Sequence, residues 1–227
     1  MEAFVSKRHN AFADGFATVA LQEIGRALEP AAADDPAGRD GMAKAAFDAG
    51  VAFSASVAPR RTLDRPAGSS TTVVAAASRR DPARRSSVTL IHGMSRPLGA
   101  RCHVAHGRAN AVLAPLVTEF SLAGAERRYD HVAACLGVSG GAAALPDHLS
   151  SLNDALGVPS LASTLGERGV DERAFEDLVP TMAREALASG SPNNNPVIPS
   201  QADIEQLYRE IYHAGAAEGR LAAASAA

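Results

Sequence analysis

The chain has 227 residues, 46% hydrophobic and 21% charged, enough to bury a sizeable core as one large domain or two small ones. A net charge of −3, with no apolar run of the ~18–20 residues a membrane span needs, excludes the usual patterns of nucleic-acid, membrane-surface and membrane-spanning proteins. Aromatic residues make up only 4% and Trp is absent, while alanine dominates the apolar set. The core is therefore expected to come from closely approaching helices rather than from aromatic layers.

Taken in chain order, Phe12, Phe16, Ala20, Ile24 and Leu28 recur at about one helical turn and predict a first helix, with Pro30 as its stop. A polar linker, Asp34 to Gly38, follows. Met42, Ala46, Phe47, Gly50, Val51 and Ser54 trace a second helix whose small-residue face permits close packing. Residues Val57 to Ser86 break the pattern. They carry Arg60, Arg61, Arg65, Arg79, Arg80, Arg84 and Arg85 against Asp64 and Asp81, with three prolines and a Gly-Ser-Ser-Thr-Thr run. This segment reads as a looped-out or disordered insert. Without interleaved aromatics to stack on bases, it does not read as a nucleic-acid site.

Beyond the insert, a helix from His106 to Phe120 carries Ala109, Val112, Leu113, Leu116, Val117 and Phe120 on one stripe. Further helices are expected over Ala125 to Leu136, ended by Gly137, and Leu145 to Leu156, closed by Gly157-Val158-Pro159. Another is expected over Glu172 to Ser189, after the N-cap Asp171. A polar corner, Ser191 to Pro196, leads to a last helix after Ser200 bearing Ile204, Leu207, Tyr208, Ile211 and Tyr212. No alternating strand pattern, internal repeat, G-x-G-x-x-G, G-x-x-x-x-G-K or G-x-S-x-G motif is present. The expected fold is an all-α helical bundle with no nucleotide-binding loop of its own. Cys102 and Cys135 lie in no paired motif and read as thiols in a reducing compartment, and Met1 to Arg8 has no apolar signal core. The expected location is cytoplasmic.

The stretch from Leu90 to Ala111 holds three of the seven histidines, His92, His103 and His106, within fifteen positions. Gly93 and Gly107 flank two of them, and Pro97-Leu98-Gly99 reads as a break between. Neutral imidazole is the commonest protein ligand for transition metals. Two histidines on successive elements around such a corner could meet at one ion. His131 and His148, on helices without metal-type partners, read as structural or exposed.

His92-Gly-Met-Ser-Arg-Pro-Leu-Gly-Ala followed by His103-Val-Ala-His106-Gly-Arg-Ala-Asn-Ala-Val-Leu-Ala-Pro resembles the signature of the iron-containing (group III) alcohol dehydrogenases. Glu2 to Ser6 with Asn10 to Asp14, Ala49 to Ser54, Leu156 to Pro159, Asn195-Pro196 and Ile204 to Tyr208 resemble further landmarks of that family's C-terminal helical domain. The resemblance covers nearly the whole chain except Val57 to Ser86. It implies a helical metal-binding domain over residues 1–227, interrupted at 57–86. In the family this domain follows an N-terminal α/β domain that binds NAD(P). The helical domain holds Fe(II), or another divalent metal such as Zn(II), with one aspartate and three histidines.

By this resemblance His92 and His106 match the last two metal ligands, Phe53 a substrate-pocket aromatic, and Arg96 a place near substrate and nicotinamide where many members carry a histidine. A guanidinium stays charged and cannot shuttle a proton at neutral pH, so Arg96 departs from that role. The family's first two ligands, an Asp-x-x-x-His pair, fall just before the segment matching Met1-Glu2-Ala3. The expectation is therefore a truncated or mis-assigned reading frame, lacking the nucleotide-binding domain and half the ligand set. Neither His9 nor Asp14 is placed by the sequence to substitute. The implied activity is hydride transfer between a small alcohol or carbonyl and NAD(P), with the chain inactive alone. The alternatives are a non-enzymatic metal-binding or interaction remnant, or one subunit of a split enzyme, as a homo-oligomer or with a companion nucleotide-binding subunit. A copy without its partner domain would expose an apolar patch around the His92–His106 corner.

Overall fold

In a computed structural model the described residues are 1–55 and 87–225, with side chains described through residue 214. The expected insert at 57–86 lies outside them. Ten α-helices and several short 3-10 turns run through the described residues, with no strand among them.

A short helix α1 (Glu2–Val5) precedes α2 (Ala11–Ala32), which Asn10 starts by accepting the Ala13 amide at 3.0 Å. Pro30 does not stop α2, contrary to the expectation. It sits in the final turn, where its missing N–H costs one bond near the helix end, and the chain closes beyond it through Ala33 N–H to Glu29 O. The turn is tighter than the expected linker. Asp34 takes a left-handed conformation (φ 64°), Asp35 accepts the Gly38 amide at 2.8 Å, and Pro36 opens α3 (Pro36–Ala55) at its first position.

The α2–α3 pair packs as closely as its alanines suggested. Ala13, Ala17, Ala20, Ala27, Ala45 and Ala52 are buried. A Cβ on Gly38 would lie 2.4 Å from the Ala31 nitrogen, and one on Gly41 would lie 2.7 Å from Ala27 Cβ.

The second half contains α4 (Leu90–Cys102), α5 (His106–Ser121), α6 (Glu126–Leu136), α7 (Leu145–Ala155), α8 (Leu161–Gly166), α9 (Glu172–Ala188) and α10 (Gln201–Ser225). The short α8 carried no signal in the periodicity. One apolar cluster joins α4, α5, α8, α9 and α10 through Leu90, Met94, Leu113, Leu165, Phe175 and Tyr208. A second joins α1, α2, α3, α6 and α7 through Phe4, Leu21, Ala52, Val132 and Leu145. Met1 touches both clusters, so the start of the chain lies at their seam. Arg128 fixes α1 there. Its guanidinium lies 4.0 Å from the Phe4 ring centre, Nε donates to Phe4 O at 2.7 Å, and Nη2 pairs with Asp14 at 2.7 Å.

Asp171 accepts the Ala174 amide at 2.8 Å and caps α9 as the sequence predicted. Asp171→Ala is expected to lower stability by about 1 kcal/mol, read as a reduced urea midpoint at unchanged slope.

Candidate metal centre

The break between the histidines lies at His103, four residues beyond Gly99. Pro97, Leu98 and Gly99 stay inside α4, where Pro97 removes one backbone hydrogen bond without ending the helix. The chain turns at His103, whose backbone is left-handed (φ 55°), and Val104 N–H returns to Leu98 O at 3.4 Å. His103 is exposed and serves as the corner.

That corner brings His92, in the first turn of α4, beside His106, the first residue of α5. Their ring centres lie 5.0 Å apart at 62°. His106 Nε2 lies 3.1 Å from Asn110 Nδ2, one turn along α5. Phe53, half-buried near the end of α3, meets the His92 ring edge-on at 5.6 Å. Arg96 stands one turn beyond His92, exposed, and donates to Ser191 Oγ at 3.2 Å.

The largest feature the sequence did not disclose is Glu2. It is only 7% exposed, yet it carries a charge among Met1, Ala3, Phe4 and Val5. Its Oε1 accepts from Thr89 Oγ1 at 2.6 Å, Thr89 N–H at 3.2 Å and His92 N–H at 3.3 Å. Its Oε2 is hydrogen-bonded to His92 Nδ1. Burial alone pushes the Glu2 carboxyl up, but its hydrogen bonds with the His92 ring, Thr89 and the His92 amide outweigh burial and hold it below the ordinary carboxylate range. The available signal was a lone carboxylate in an apolar run, which buried chemistry must satisfy.

A second undisclosed feature is the Asn194–Asn195 pair. Asn194 Nδ2 donates to Val88 O at 3.0 Å, and its carbonyl accepts Lys7 N–H at 2.9 Å. Asn195 accepts from Leu90 N–H at 3.4 Å and donates to Ser121 Oγ at 2.9 Å. These bonds brace the entry of α4 against the start of the chain and the end of α5. The glycine beside His92 belongs to the same brace, since a Cβ on Gly93 would meet Pro192 Cγ at 2.9 Å. Gly107 has open space at the same point.

His92 and His106 suit a divalent transition metal in kind, as two imidazoles from adjoining helix starts. They are too few for a complete site, since a catalytic metal takes about three protein ligands. Among the described residues no group of three His, Cys, Asp or Glu could hold a metal ion. Asp14 is engaged by Arg128 and by His9 at 3.3 Å. His131 stacks on Phe4 at 4.8 Å and contacts Thr18, a structural role as expected, and His148 is half-exposed.

Among the described residues, α4 and α5 do not expose the large apolar side chains that the expected patch at the corner would need. Among the described residues the exposed large apolar side chains are Phe12, Val19, Phe47 and Ile198, none on α4 or α5. Leu90, Ile91, Met94 and Leu98 turn into the chain's own core instead. No helix of the described residues is long and apolar enough to cross a membrane.

Comparison with known proteins agrees with this architecture. The pattern of the Fe-containing alcohol dehydrogenase family, C-terminal region, matches residues 84–212. A 1,3-propanediol dehydrogenase of Citrobacter freundii is 27% identical over 221 residues, covering 93% of this chain and 48% of that protein. An NADPH-dependent butanol dehydrogenase of Clostridium saccharobutylicum is 23% identical over 218 residues, covering 94% of this chain and 48% of that one. The iron-containing alcohol dehydrogenase of Thermococcus thioreducens superposes with a TM-score of 0.71 at 29% identity, over 93% of this chain and 47% of that one. The chain thus spans about half the length of the curated relatives it matches. With its helical fold and its paired histidines at one corner, the chain belongs to the Fe-containing alcohol dehydrogenase family, whose C-terminal region it carries.

Proposed function

We propose that the chain is the metal-binding helical part of an oxidoreductase that interconverts a small alcohol and its carbonyl with NAD(P). His92 and His106 would supply two nitrogen ligands to Fe(II) or another divalent ion such as Zn(II). The meeting of these two rings at 5.0 Å, from helices joined by a left-handed corner, carries the reading. When bound, such an ion would polarise the substrate oxygen.

The chain's own residues would shape the surroundings. Phe53 presents an aromatic edge beside His92 and would line the substrate side. Arg96, tethered to Ser191, places a permanent positive charge one turn away, suited to orienting a substrate or cofactor oxygen rather than to moving a proton. The further ligands and the dinucleotide-binding region would come from polypeptide outside this sequence.

The test is a steady-state assay of the purified chain with Fe(II) or Zn(II), NAD(P) and short-chain alcohols or aldehydes. Turnover is expected below about one thousandth of a typical enzyme's ~10 s⁻¹. Addition of the separately expressed N-terminal half of a family member, bearing the missing ligands, is expected to raise it. Robust turnover by the chain alone would overturn the claim of an incomplete site. Failure of every complemented mixture, with no metal-induced change at His92 or His106, would favour a remnant that no longer works as an enzyme.

A further inference from the structure

We infer that Glu2 is a positioning residue that fixes which nitrogen His92 offers to a metal. The inference rests on the metal-binding reading above and deepens it. The observation is a division of labour within one buried carboxylate. Oε1 takes the two backbone N–H groups at the start of α4 and the Thr89 hydroxyl. That alone would be a helix cap supplied from a distant part of the chain. Oε2 does something a cap does not require. It engages His92 Nδ1, and among the described residues nothing hydrogen-bonds Nε2.

A carboxylate accepts and does not donate when ionised. Nδ1 therefore carries the proton, and Nε2 keeps its lone pair for a cation. Thr89 and two amides pin Oε1, so the carboxylate cannot swing away, and the ring plane is set with it. Contacts with the rings of Phe53 and His106 limit the remaining rotation. A carboxylate behind a ligating imidazole also raises its basicity, and loss of such partners commonly weakens metal affinity about 10–100-fold.

Glu2→Gln separates capping from positioning. The glutamine Oε1 can still accept the α4 amides, while its NH₂ group faces Nδ1 and must donate. His92 would then switch its proton to Nε2, and the lone pair would be lost. The experiment is ¹⁵N-detected NMR of histidine in the full chain at about pH 8, above the ordinary imidazole range, with circular dichroism as the control for folding. The wild-type chain is expected to show His92 protonated on Nδ1, and Glu2→Gln on Nε2, with helicity unchanged.

Zn(II) titration followed on the same resonances is expected to need about 10–100-fold more metal in the variant. A wild-type His92 protonated on Nε2, or a tautomer that the variant leaves unchanged, would overturn the inference whatever the metal does. The wild-type tautomer alone decides the matter should Glu2→Gln fail to fold. The expected tautomers without any response of His92 or His106 to Zn(II) would uphold the positioning by Glu2 and overturn the metal-binding reading instead.

Discussion

Phe175→Ala is expected to lower the stability of the chain by about 3–5 kcal/mol, the range for removing a large side chain from a packed core. Phe175 is fully buried in α9, where it stacks on Tyr212 at 4.8 Å and 15° and meets Tyr208 edge-on at 6.5 Å. Both tyrosines belong to α10. Truncation removes the hydrophobic transfer term, opens a cavity, and forfeits two aromatic pairings worth about 0.5–1.5 kcal/mol each. Tyr208 also donates to Met94 O at 2.6 Å, so the same cluster supports α4, the helix that carries His92. Since a domain is stable by only ~5–15 kcal/mol, the loss is a large share of the whole. Urea unfolding measures it. A loss below about 1 kcal/mol would mean that α9 and α10 close over the gap, and that the packing there is looser than the ring contacts indicate.

Asn195→Ala is expected to cost about 2–4 kcal/mol for a different reason. Its side chain is 1% exposed, and besides Leu90 N–H and Ser121 Oγ it donates to Val197 O at 2.8 Å. Alanine leaves these partners without it in a site that water does not easily reach, and each unsatisfied group costs about 1–3 kcal/mol. The Leu90 contact is long, at 3.4 Å, so it contributes least. Thermal and urea unfolding give the magnitude. A loss within about 0.5 kcal/mol would show that water enters and replaces the amide.

The two losses mark where reading the sequence succeeds and where it stops. Phe175 and Tyr208 lie on helices legible from periodicity, because burial selects one face at every turn. His92 and His106 were legible as a pair from the family resemblance. The corner between them was not, because proline and glycine usually mark breaks. Here Pro97 and Gly99 lie within α4, while His103 takes the left-handed position that glycine more often fills. Pro30 misled in the same way, being near enough to a helix end to be tolerated.

Glu2 and Asn195 stood in segments that resemble family landmarks, but their bonding roles were illegible for another reason. Their partners stand far away in the chain, and local spacing carries no trace of a hydrogen bond made across the fold. The same holds for the glycine after His92, a point of close contact with Pro192, which lies far along the chain.

The Glu2–His92 bond joins residues 90 apart, and Arg8 reaches Asn194 across 186. Contacts of such long range close large loops, at an entropic cost that the local pairing of neighbouring helices such as α2 and α3 does not carry. The two imidazoles meet through a local corner, whereas the carboxylate behind one of them comes from the far start of the chain. A chain in which those loops have not closed contains both imidazoles but lacks the carboxylate behind one of them and the brace beneath it. Any ion captured in the native geometry would reward only the finished structure and shift the folding equilibrium toward it.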